Sequence, residues 1–131
     1  MRKKFLASLV SVFMLNGCVS TAPDITQNHS YKVTWIGTQP IDSYISMAFD
    51  VDGRVYGTGG CNHWFAGYGI EGEILRFSRI GSTKRACEAA VMQHEQQFFD
   101  ALGHVRRWDF SPSGELRLWP EQGKPIRLHA E

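Results

Sequence analysis

The chain has 131 residues, 43% of them apolar, and its 14 Lys and Arg nearly balance 13 Asp and Glu at a formal charge of +1. That length suits one domain with one core rather than two, and the charge balance gives no basic excess of the kind a nucleic-acid binder uses. Arg2, Lys3 and Lys4 carry the positive sign: without them the formal charge falls by three, to −2.

The first element in chain order is that basic start followed by the uncharged run Phe5 to Leu15. Together they form a secretory signal, because spanning about 30 Å of hydrocarbon takes roughly 20 apolar residues. The run ends in Leu15, Asn16, Gly17 and Cys18, which resembles the lipobox of bacterial lipoprotein precursors. The expectation is a signal peptide over residues 1–17, cleavage before Cys18 and membrane attachment through acyl chains on Cys18. At roughly 0.8 kcal/mol per buried methylene, two or three such chains hold firmly where one does not. Val19 rather than Asp follows the cysteine. By the sorting rule of enteric bacteria, this resembles an outer-membrane destination, facing the periplasm of the cell envelope.

Val19 to Ser30 are mostly polar or small, include Pro23 and show no apolar periodicity, so residues 18–30 read as a lipidated, flexible tether and 31–131 as the folded domain. Period-two alternation then dominates. Lys32–Ile36 is a strand; Ile45, Met47, Phe49 and Val51 share one face of the next, with Ser46, Ala48 and Asp50 on the other. Asp52-Gly53 is a hairpin turn signal leading into a strand at Arg54–Thr58. Further strands are expected at Ile74–Phe77, Arg107–Phe110, Glu115–Trp119 and Pro125–His129, with turns at Ser111 to Gly114 and at Gln122-Gly123. Between them, Glu88–Val105 spaces Val91, Phe98, Leu102 and Val105 as one stripe of an amphipathic helix, with Glu95 among its polar residues. The predicted fold class is mostly β (α+β), a curved antiparallel sheet or incomplete barrel with one helix packed in its opening.

With Cys18 assigned to lipid, Cys61 and Cys87 remain as an even pair. A structural disulfide, expected outside the cytosol, is favoured over a metal site with His63 and perhaps His94, or a reactive thiol; Cys61-x-His63 falls short of the four ligands of a structural zinc site. Asn62 and Thr83 are short hydrogen-bonding side chains suited to fixing turns. Trp64 and Phe65 are adjacent aromatics that cannot both face a core, so one of them is a candidate partner surface. Arg76, Arg79, Lys84, Arg85, Arg106 and Arg107 read as a solvated face rather than an anion site. No nucleophile and base stand in a recognisable catalytic pattern. The expectation is therefore a non-enzymatic protein with no catalytic residues, no cofactor and no metal.

Three blocks carry a resemblance: Gly60-Cys61-Asn62 with Tyr68 downstream, Ser82-Thr83-Lys84-Arg85-Ala86-Cys87, and Met92, Glu95, Phe98 with Ala101-Leu102. At this joint spacing the chain resembles the META domain family, typified by HslJ-like bacterial envelope lipoproteins. Ala66, Arg85 and Glu88 stand where that pattern usually has a small Gly, a Met and a Pro. The resemblance implies a cracked antiparallel barrel with a helix in the gap and implies no catalytic residues. The expected anchor and the missing catalytic constellation favour a monomeric envelope module that binds another protein or supports stress and antibiotic tolerance, conditions to which members of the family are loosely linked. The alternative is a carrier of an acyl chain or other small apolar ligand, or a pilotin-like chaperone of an outer-membrane protein.

Overall fold

The computed structural model describes residues 11–14, 16–17, 24–27 and 30–131. Cys18 and most of the expected signal peptide and tether lie outside the described residues. The described part consists of a short 3-10 turn at Ile25–Gln27, nine strands and one α-helix. The strands are β1 (Tyr31–Ile36), β2 (Gln39–Pro40), β3 (Ser46–Phe49), β4 (Arg54–Thr58), β5 (His63–Glu71), β6 (Ile74–Ser82), β7 (Val105–Phe110), β8 (Leu116–Pro120) and β9 (Ile126–Ala130); the helix α1 (Ala89–His104) runs between β6 and β7.

All pairings are antiparallel, in the order β2-β1-β3-β4-β5-β6-β7-β8-β9, and β1 also pairs with β9. The sheet thus closes into an eight-stranded barrel with β2 as an extra strand beside β1. Closure is weakest between β6 and β7, which share the single ladder pair Ile74 and Arg107. Helix α1 packs against β6, β1 and β8, burying Phe98 and Leu102. Phe98 meets the Trp64 ring edge-on with centroids 5.2 Å apart. The mostly β class, the curved antiparallel sheet and the single helix are as the sequence predicted.

Alternation explains the core. Tyr31 and Val33 of β1, Met47 and Phe49 of β3, Leu116 and Leu118 of β8, and Ile126 and Leu128 of β9 point inward and are buried. Their intervening neighbours Lys32, Arg117 and Arg127 face outward, as a period of two requires.

Four expectations change. Strand β5 is not among the expected strands; its Gly67 and Gly69 lower intrinsic strand preference, but pairing along its nine residues to β4 and β6 overrides that. The second strand ends at Phe49, and Val51 lies 85% exposed in the hairpin turn rather than on the inner face. The tether is shorter than read: Ile25 is 1% exposed, and the Tyr31 hydroxyl donates to its carbonyl at 2.8 Å. The folded part therefore includes Asp24 to Gln27, because one large apolar side chain is enough to seat a turn on the core. Finally, Glu95 is buried, 4% exposed, not on the solvent side of α1.

Candidate functional site

Cys61 and Cys87 form a disulfide with Cα atoms 5.9 Å apart, joining the segment before β5 to the one before α1. Beside it, Glu95 reaches from α1 into the loop. Its Oε2 accepts the backbone N–H groups of Cys61 and Asn62 at 3.1 and 2.7 Å, and its Oε1 accepts Asn62 Nδ2 at 2.6 Å. Gly59 makes that approach possible, since a Cβ there would lie 2.8 Å from Glu95 Oε2.

Asn62 completes the crossing. Its amide also donates to the Arg85 carbonyl at 3.1 Å, and its Oδ1 accepts the Thr83 hydroxyl at 3.0 Å and the Arg85 N–H at 2.6 Å. Two donors and two acceptor sites are an asparagine's whole capacity. Thr83 Oγ1 in turn accepts the His63 N–H at 3.1 Å. Asn62 and Thr83 thus fix a loop, as expected. No sequence rule pointed to Glu95 as their partner beyond its place in the resemblance pattern. A cleft of about 260 Å³ beside this crossing is lined by Asn62, Thr83, Lys84, Arg85, Glu95 and Phe99 among others.

The next two residues answer the aromatic question. Trp64 is 1% exposed and donates its indole N–H to the Ser46 carbonyl at 3.0 Å. It belongs to the core, and its place as a candidate partner surface is withdrawn. Phe65, one residue on, points to the opposite side of β5 and is 56% exposed. It stands opposite Tyr56 of β4, 52% exposed, and opposite Gly81 of β6. A Cβ on Gly81 would lie 2.7 Å from the Phe65 ring, so the ring rests against bare backbone.

Next to Phe65 the β5–β6 ladder shifts register between Phe65 and Gly67. Arg79 sits in that irregularity with φ +53°, a left-handed conformation that costs a non-glycine residue about 1 kcal/mol. A shallow depression of about 680 Å³ on this outer face is lined by Asp50, Arg54, Tyr56, Phe65 and Arg79 among others.

The remaining candidates do not converge. His94 Nδ1 lies 2.7 Å from the Ser43 hydroxyl and 3.4 Å from Asp42, whereas His63 is exposed on β5. Among the described residues no three His, Cys, Asp or Glu group as a metal site. The six basic residues divide between β6 (Arg76, Arg79), the loop before α1 (Lys84, Arg85) and β7 (Arg106, Arg107).

A sequence profile of the META domain matches residues 24–131, which includes the Ile25 turn. No curated protein matches the chain. Two solved structures share the fold. A protein from Burkholderia xenovorans, determined by NMR, is 19% identical, with a TM-score of 0.66 over 88% of this chain and 96% of that one. A second NMR structure is 14% identical, with a TM-score of 0.65 over 85% of this chain and 96% of the other.

Proposed function

The chain belongs to the META domain family, and from that premise we propose that it is a non-enzymatic lipoprotein of the bacterial envelope, anchored through Cys18, whose barrel docks a protein partner on the outer face of β4 and β5. The observation that carries this reading is the exposed cross-strand pair of Tyr56 and Phe65. Opposed aromatics on a sheet face stabilise the sheet modestly, but leaving half of each ring in water forfeits much of the benefit of burial. Clustered, half-exposed aromatics are the usual anchors of protein interfaces. Arg79, held in a strained conformation at the adjoining irregularity, supports the same face, since such strain concentrates where side chains are aimed at a partner.

The crossing at Glu95 supports the non-enzymatic half of the proposal. Both of its carboxylate oxygens accept N–H donors, and the neighbouring thiols are joined as a disulfide. The arrangement therefore presents a locked loop rather than a nucleophile within reach of a base. A carrier of an apolar ligand would want a cavity of at least about 300 Å³ with mainly apolar walls between helix and sheet. The cleft beside α1 mixes Asn62, Lys84, Arg85 and Glu95 with Met92 and Phe99, and its volume of about 260 Å³ falls short of that, which weighs against the alternative.

The test places a photo-crosslinking amino acid at position 65 of the full chain in growing cells, with position 121 as control. The expected result is a discrete protein adduct from position 65 alone, recovered with the outer membrane. Equal adducts from both positions would overturn the docking face, and recovery in the soluble fraction would overturn the anchor. The double variant Phe65→Ser with Tyr56→Ser should abolish binding of the same partner while lowering stability by only about 1 to 2 kcal/mol, the worth of a half-buried cross-strand pair, so that the fold survives.

A further inference from the structure

The outer face of β7, β8, β9 and β1 is built differently from the Tyr56 and Phe65 face. Arg117 of β8 stands directly opposite Arg127 of β9, and Arg127 directly opposite Trp35 of β1. Like charges in register across two strands oppose pairing. Here each guanidinium is held by a carboxylate from a neighbouring position. Asp109 takes Nε and Nη2 of Arg117 at 2.7 and 2.8 Å, and Glu115, 7% exposed, takes the same two atoms of Arg127 at 2.7 and 3.2 Å. Both forks are engaged through one edge, so each Nη1 remains directed elsewhere.

The aromatic groups are fixed by the same network. Trp119 donates its indole N–H to Asp109 at 2.9 Å, which sets the orientation of the ring. The Arg107 and Arg117 guanidiniums lie 4.6 and 5.4 Å from its centre, and Arg127 lies 5.5 Å from the centre of Trp35. Between the two indoles runs a trough of about 590 Å³, within the roughly 300–1,000 Å³ of small-ligand sites. Its ionisable lining is Glu115, Arg117, Lys124 and Arg127, three cations to one carboxylate, and its rim carries the hydroxyls of Thr38, Ser111 and Ser113.

We propose that this trough binds an acidic glycan, a chain of sugar rings bearing carboxylates. The parts of the two indoles that line the trough match the apolar surfaces of pyranose rings, the rim hydroxyls match sugar hydroxyls, and the surplus of cations matches the acid groups. Asp109 and Glu115 hold two arginines and one indole in place before any ligand arrives, so little ordering is left to be done on binding. Lys124, exposed and in no ion pair among the described residues, adds a charge of the trough's own lining, and Arg107, exposed over the Trp119 ring, adds a second beside it.

The test is calorimetric titration of the full chain with hexagalacturonate, with maltohexaose as the neutral control, and with the exposed pair Arg107→Gln and Lys124→Gln as the double variant. The expected result is binding of hexagalacturonate at least about ten-fold tighter than maltohexaose, weakened at least about ten-fold in the double variant and by rising salt. Trp119→Phe, which keeps an aromatic ring but not the indole, should weaken both sugars together. Equal affinity for the two sugars, indifference to the double variant at an unchanged melting temperature, or no heat at about 10 mM ligand would each overturn the proposal. So would preferential binding of an oligothymidylate or of phosphatidylglycerol vesicles, which would show that the site selects charge and not sugar.

Discussion

The crossing at Glu95 and the face around Trp119 are made from the same kinds of group, carboxylates held by hydrogen-bond donors, yet they are opposite in character. At the crossing, donors and acceptors cancel: Asn62 uses its full capacity and Glu95 accepts three N–H bonds. On the outer face each carboxylate occupies one edge of an arginine but not the other, and a lysine and the two indole rings line the trough. A buried network must be satisfied because any orphaned group costs its full desolvation. A surface network can leave capacity over because water fills it until a ligand does. The first pattern marks a structural lock and the second a surface prepared for binding.

Three perturbations sharpen that contrast, beginning with the largest. Replacing Cys61 and Cys87 by Ala removes a link across 26 residues and should cost about 3 to 4 kcal/mol. In a domain of this size that lowers the melting temperature by roughly 15 °C, measurable by calorimetry without reductant. Next, Glu95→Gln keeps the shape but turns an amide toward Asn62 Nδ2, setting donor against donor. A loss of about 2 kcal/mol is expected in urea unfolding, and an unchanged midpoint would mean that the crossing adds nothing to stability.

The smallest effect belongs to the outer face. Burial pushes the Asp109 carboxyl up, but the Arg117 fork, the Trp119 N–H and the charges of Arg117 and Arg107 outweigh it and hold its pKa below the ordinary value. A carboxyl lowered in this way stabilises the fold above its unfolded pKa of about 3.9 and loses that contribution as pH falls through the folded value. With its side chain 38% exposed, the pair is worth no more than about 1 kcal/mol. Asp109→Asn should therefore be slightly less stable than the native chain at pH 7, with the gap closing below about pH 4. A gap that widens on acidification would reverse the assignment.

How much of this was legible beforehand depended on whether the signal was local. The helix expected over Glu88–Val105 runs Ala89–His104, because an apolar stripe at helical spacing signals a helix with one buried face. The strand Arg54–Thr58 was read to the residue, since a hairpin turn and alternation agreed there. By contrast β5 was hidden by its glycines, and the buried Ile25 was hidden among polar neighbours. Glu95 was placed on the wrong side of its helix because polar residues flank it, while its partners lie 33 and 34 residues earlier in the chain. That Trp64 and Phe65 face opposite ways follows from alternation alone. Which one faces inward does not.

The sequence by itself therefore determined the mostly β class and the single helix and favoured the pairing of Cys61 with Cys87, since hydrophobic period and turn chemistry are properties of short segments. Tertiary structure decided the closure of the barrel, the inward turn of Trp64 and Glu95, and the register that sets Arg117 opposite Arg127 between two tryptophans. Those outcomes depend on which strands become neighbours, and that is fixed by the packing of the whole core rather than by any stretch of chain.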